Sequence, residues 1–139
     1  MAVEKDIVLK ARGLNKSFSS GGGELCVLSH VDLDVRRGEL VAVMGASGAG
    51  KSTLLHILGT LEMPTHGELE IADTDVFSLP EVPLARFRNR HIGFVFQHHY
   101  LLPEFTALEN ALMPARIAKC ADELHAEAVD LLHAVGLGD

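Results

Sequence analysis

The sequence predicts an α/β fold, and three observations carry that expectation. An apolar run, Leu40 to Met44, feeds a glycine-rich segment that opens onto helical periodicity. Loosely alternating, β-rich segments precede this run, as in an antiparallel layer. Two amphipathic helical stretches close the chain.

Taken in order, Ile7 to Phe18 is β-rich, and Ser19-Ser-Gly-Gly-Gly23 has the composition of a turn. Leu25 to Val35 resumes strand character, with Leu33 and Val35 alternating with Asp32, Asp34 and Arg36. Arg37-Gly38-Glu39 reads as a tight turn. Leu40 to Met44 is apolar on both faces, which suits a central parallel strand covered on both sides. Lys51 to Gly59 is a predicted helix with Leu54, Leu55 and Leu58 on its apolar face and Gly59 as its stop. After a turn at Thr65-His66-Gly67, Glu68 to Ile71 is a short strand. Leu79 to Arg90 is a weakly amphipathic basic helix, and Ile92 to Phe96 another apolar strand. Helices are expected over Ala107 to Ile117 and Asp122 to Val135. Leu124, Ala128, Leu131, Leu132 and Val135 share a face of the second.

Composition narrows the function classes. The chain has 139 residues, 47% apolar and 22% charged, the profile of one globular domain. A net charge of −7 has the wrong sign for sequence-independent nucleic-acid binding, and 5% aromatics without tryptophan leaves little to stack on bases. Nucleic acid is therefore not an expected partner. Cys26 and Cys120 have no metal-ligand spacing and read as reduced thiols. His98-His99 lacks the further ligands that a zinc site needs. The charged N-terminus does not resemble a signal peptide, and no uncharged stretch approaches the roughly 18 residues of a membrane span. A cytoplasmic protein is expected, reaching any membrane through a partner.

The chemistry concentrates in Gly45-Ala46-Ser47-Gly48-Ala49-Gly50-Lys51-Ser52, which matches the phosphate-binding loop G-x-x-x-x-G-K-[ST] between a predicted strand and a predicted helix. Glycines let the backbone close around phosphate oxygens. Successive N–H groups then form an anion nest, reinforced by the helix dipole. Lys51 supplies a mobile cation for β- and γ-phosphates, and Ser52 a hydroxyl for Mg²⁺. A dinucleotide-binding turn fits worse, because its third glycine would fall on Thr53.

Extended to Thr53, this loop resembles the form found in ATP-binding cassette (ABC) proteins, and so does the chain on either side of it. Lys16-Ser-Phe18 is similar to the segment that places an aromatic against adenine. Ile92-Gly-Phe-Val-Phe-Gln97 resembles the strand that ends in the glutamine of the Q-loop. The resemblance implies a P-loop NTPase with a RecA-like core, fronted by an antiparallel β layer and followed by the start of a helical subdomain. It implies ATP and Mg²⁺ as ligands, Phe18 and residues 45–53 around the nucleotide, Lys51 and Gln97 as catalytic groups, and Ser52 and Gln97 on the metal. It also implies head-to-tail homodimers on the cytoplasmic face of the inner membrane, contacting integral-membrane transporter subunits through Gln97 to Pro114. Within the family, His98 to Asn110 and Met113-Pro114 resemble the branch serving bacterial lipoprotein release, ahead of peptide and macrolide exporters and the cell-division ATPase.

The family's Leu-Ser-Gly-Gly-Gln signature, its Walker B strand ending in Asp-Glu, and its switch histidine are not among the 139 residues. The expectation is a single, incomplete nucleotide-binding domain, with the β layer and P-loop core over 1–97 and the Q-loop and first helices over 98–139. Such a chain is expected to bind ATP with negligible turnover and, alone, to be marginally stable with an exposed sheet edge. A purely nucleotide-binding, non-catalytic module is the second reading. A small-molecule kinase is the third, but it leaves the placement of Phe18 and Gln97 unexplained.

Overall fold

The computed structural model describes residues 6–138; Met1 to Lys5, which carry part of the charge that argues against a signal peptide, and Asp139 lie outside the described residues. The chain clusters into two compact units that divide in sequence between Arg88 and Asn89.

The first unit is built on a four-stranded sheet in the order β2-β1-β3-β4, every neighbouring pair antiparallel. β1 (Ile7–Ser20) and β2 (Gly23–Arg36) form one long hairpin joined by a two-residue turn at Gly21-Gly22. β3 (His66–Ile71) pairs along the other edge of β1, and β4 (Thr74–Asp75) returns against β3. Ala11, Leu14, Leu28, Leu69 and Ile71 are the buried residues of this sheet. α1 (Lys51–Leu58) buries Leu54 and Ile57, and Val76, in the 3-10 turn Val76–Ser78, is also fully buried. Each such aliphatic side chain contributes about 1.5–3 kcal/mol by leaving water.

β1 is irregular where β3 meets it. Its pairing shifts register around Gly13, whose N–H donates to Asp32 Oδ1 at 2.6 Å. Gly67 sits against that irregularity at φ 107°, so close that a Cβ there would lie 2.6 Å from the Gly13 carbonyl oxygen and 2.7 Å from Leu14 Cα. Only glycine fits.

The apolar runs at residues 40–44 and 92–96 depart from the strand expectation. Neither is assigned to a strand or hydrogen-bonded into a sheet among the described residues. Leu40, Met44 and Val95 are 89–103% exposed. Such a run becomes a strand only when a neighbour takes up its N–H and C=O groups, and its own hydrophobicity does not supply one.

α2 (Glu81–His91) buries no residue. In the second unit, the helix expected from Ala107 to Ile117 is broken in two, α3 (Ala107–Ala111) and α4 (Met113–Ala118). Pro114 explains the break: it has no N–H to give to the carbonyl four residues back. α5 (Ala121–Ala134) follows, and Ala128 packs with Leu112 and Ala115, flanked by Leu108, Cys120 and Ala121. Leu131 and Val135, expected on the buried face of α5, are exposed at 61% and 70%.

The loop before α3 is held by side chains. The Thr106 hydroxyl accepts from the Glu109 N–H at 3.2 Å, while the Glu109 carboxylate accepts from the Thr106 N–H at 3.0 Å, a capping box. Asn110 accepts from the Leu102 N–H at 2.8 Å and donates to the carbonyls of Leu102, Phe105 and Thr106 at 3.0–3.1 Å.

Gly67→Ala is expected to destabilise the chain by about 1–3 kcal/mol, read as a lowered urea midpoint at unchanged slope. The Thr106 N–H, and secondarily the Thr106 hydroxyl, hold the Glu109 carboxyl below its usual value. Its contribution is therefore complete above the ordinary glutamate range and is lost as pH falls through that lowered value. Hydrogen-exchange protection at Asn110 should fall on acidification through this window, and Glu109→Gln should abolish that pH dependence.

Candidate phosphate-binding site

Residues 45–50 form an irregular loop between the apolar run and α1. Its one internal turn is closed by the Ala49 N–H donating to the Ala46 carbonyl at 3.2 Å. Gly50 caps α1 at φ 83°, in the left-handed region. A Cβ there would lie 2.9 Å from the Val27 carbonyl oxygen and 3.0 Å from the side chains of Val27 and Leu28. The start of α1 is thus pressed against β2 at a point where only a glycine backbone passes.

The consequence is electrostatic. The first helical hydrogen bond runs from the Leu54 N–H to the Gly50 carbonyl at 2.9 Å. The N–H groups of Lys51, Ser52 and Thr53 lie before it and have no intrahelical acceptor. Gly50 has no side chain to cap them, and no acidic residue stands in the first turn. These donors, at the positive end of the helix dipole, border a cavity of about 280 Å³ lined by Val27, Gly48, Gly50, Lys51, Ser52 and Thr53. An anion with several oxygens satisfies them.

Lys51 bends back over the loop, donating from Nζ to the Gly45 carbonyl at 3.0 Å and the Ala46 carbonyl at 2.6 Å. Its partners are neutral, so a phosphate oxygen competes favourably for the ammonium, a charge-assisted bond being roughly twice as strong as a neutral one. The Ser52 hydroxyl is on an exposed residue at the cavity wall. A hydroxyl beside the place for phosphate oxygens fits Mg²⁺, which takes oxygen ligands and keeps several waters.

The structure brings Gly48, Gly50, Lys51, Ser52 and Thr53 together around one hollow and makes Gly45 and Ala46 the resting partners of the lysine. Ser47 and Ala49 belong to the loop but do not line the hollow. Phe18 is 39% exposed and pairs with Leu25, two residues before the cavity-lining Val27 on β2. That is about 7 Å along a strand. Gln97 belongs to the second unit, where it is exposed and follows Phe94 and Phe96, whose rings stack at 5.2 Å. His99 Nδ1 accepts from the Leu101 N–H at 3.1 Å, and the His98 ring meets the Tyr100 ring edge-on.

Sequence reasoning missed two residues. Val27 lines the cavity because β2 bulges there, between the pairs Lys16↔Leu28 and Ser17↔Cys26, and nothing in an apolar strand announces a bulge. Lys16 lies with its ammonium 4.8 Å from the centroid of the Phe18 ring. The i, i+2 spacing of lysine and aromatic on one strand carried that signal.

Residues 28–139 match the ABC transporter family. The chain is 52% identical over 132 residues to the lipoprotein-releasing system ATP-binding protein LolD of Myxococcus xanthus, covering 94% of this chain and 59% of that protein. It is 50% identical over 133 residues to LolD of Syntrophus aciditrophicus, covering 95% and 60%. The chain therefore spans about 60% of the length of these relatives. Among solved structures, it resembles the dimeric bacterial ABC transporter cassette MJ0796 with a TM-score of 0.75 and 39% identity, over 78% of this chain and 47% of that one. The post-hydrolysis state of the same cassette, bound to ADP and Pi, matches with a TM-score of 0.79 and 33% identity, over 90% and 57%.

Because Gly50 passes so near β2, Gly50→Val is expected to displace the start of α1 and weaken binding of inorganic tripolyphosphate by about tenfold or more. Titration calorimetry checks this; unchanged affinity would show that the close approach is dispensable.

Proposed function

The chain belongs to the ABC transporter family, and from that premise we propose that it is the ATP-binding part of a transporter that releases lipoproteins. The observation that carries the nucleotide reading is the row of open N–H groups at residues 51–53, facing a hollow that Lys51 overhangs. On this reading the amides of residues 48–53 hold the β- and γ-phosphates, Lys51 leaves its two carbonyls for the phosphate oxygens, and Phe18 stacks on the adenine. Ser52 and Gln97 are the proposed oxygen ligands of Mg²⁺, and Gln97 also orients the attacking water, its amide oxygen accepting a hydrogen bond from it without adding charge. Magnesium, when bound, offsets negative charge on the phosphate oxygens.

The lipoprotein assignment is supported by 50–52% identity to proteins named for that system. Integral-membrane subunits are the proposed partners, contacted through residues 97–114, with the protein peripheral on the cytoplasmic side of the inner membrane. None of the described helices is long and apolar enough to cross a membrane itself. A homodimer is proposed for the full-length form by likeness to a dimeric cassette.

These 139 residues contain no Leu-Ser-Gly-Gly-Gln segment and no apolar run ending in Asp-Glu after Gln97. Hydrolysis requires a group to orient or deprotonate water and further donors on the γ-phosphate. The proposal is therefore binding with negligible turnover by this chain. MgATP should bind, with Lys51→Ala weakening it by about tenfold or more. Steady phosphate release should not exceed that of Lys51→Ala; sustained release above this control would overturn the turnover claim, and failure of folded protein to bind MgATP at millimolar concentration would overturn the nucleotide site.

A further inference from the structure

Lys16 is not an ordinary surface lysine. Its side chain is only 11% exposed, and its Nζ lies 2.5 Å from Glu62 Oε1 and 2.7 Å from the Met63 carbonyl oxygen. The third direction from the ammonium points at the Phe18 ring, whose centroid is 4.8 Å away. A cation over an aromatic face is held by the negative potential of the ring, and it covers that face. A planar ligand meeting Phe18 must therefore use the other.

The anchor matters as much as the contact. Glu62 and Met63 belong to the segment that ends α1, where the N–H groups of Leu61 and Glu62 both donate to the His56 carbonyl. The same segment is tied to β1 twice more, by the Thr65 N–H to the Asn15 carbonyl at 2.8 Å and by the Ser17 N–H to Thr65 Oγ1 at 3.0 Å. Lys16 thus joins three things: the strand carrying Phe18, the ring itself, and the far end of the helix whose start borders the phosphate hollow.

We infer that Lys16 is a positioning residue for base recognition: pinned by Glu62 and Met63, it fixes the Phe18 ring and leaves one face free for a purine base. The inference rests on the proposed nucleotide site and adds to it a determinant of base, as opposed to phosphate, affinity. It predicts that two ligands sharing a triphosphate but differing in the base will respond differently to changes at Lys16.

The test titrates the full chain with MgATP and with magnesium tripolyphosphate. Lys16→Met should weaken MgATP by about three- to tenfold, the range of a partly desolvated cation–π contact, and leave tripolyphosphate within about twofold. Lys16→Arg, which keeps a cation over the ring, should restore most of the loss. Phe18→Ala should show the same split as Lys16→Met. Equal weakening of both ligands by Lys16→Met would mean that Lys16 acts only through the fold, and unchanged MgATP affinity would mean that it does not act; either overturns the inference. Should Lys16→Met fail to fold, Glu62→Gln keeps the lysine but removes the charge that holds it. It should give the same split, smaller, and its absence likewise overturns the inference. Lys51→Ala separates the two levels: if it weakens both ligands while Lys16→Met weakens neither, only the role of Lys16 falls. If Lys51→Ala weakens neither, the site itself falls and Lys16 with it.

Discussion

A helix can offer its first amides to a ligand only if something other than those amides holds it in place. In this chain the burial of Leu54 and Ile57 does so, with the passage of Gly50 against Val27 and Leu28 fixing where the helix begins. Everything at the hollow follows from that fixed start: three N–H groups left open, a lysine resting on the loop's own carbonyls, and a hydroxyl at the rim. The helix is short, eight residues, and an isolated helix of that length is unstable in water. The stability of the anion site is therefore borrowed from the sheet beneath it.

The glycine-rich loop, the helix after it and the long hairpin before it were legible because each is dictated locally. Glycine spacing, apolar periodicity and a two-glycine turn need no distant partner to be read. The runs at residues 40–44 and 92–96 are a different case. Their composition is that of buried strands, but a ladder is a relation between segments, and neither run has a partner among the described residues. Pro114 shows the opposite failure. Its effect is local and was visible in the sequence, but the apolar pattern from Ala107 to Ile117 outweighed it in the reading. Val27 lay beyond pattern altogether, since a bulge is settled by three-dimensional fit, whereas the i, i+2 spacing of Lys16 and Phe18 on one strand was there to be read.

The two ends of α1 are treated in contrasting ways. At the start, donors are left unmet and the nearest cation is parked on neutral oxygens. Beyond the end, donors find partners: the His56 carbonyl accepts twice, Asn15 and Ser17 bind the following strap, and the part-buried Lys16 ties it to β1. Order is concentrated where the chain must be rigid, and unsatisfied polarity where it must meet something else.

Asn110 illustrates how such rigidity is achieved without a sheet. Its carboxamide presents one acceptor and two donors to the main chain of Leu102, Phe105 and Thr106, imitating the peptide group of an absent neighbouring strand. Because the amide reads only backbone atoms, it is indifferent to which side chains Glu104 and Phe105 happen to be. The loop can diverge in sequence while its path through space stays the same.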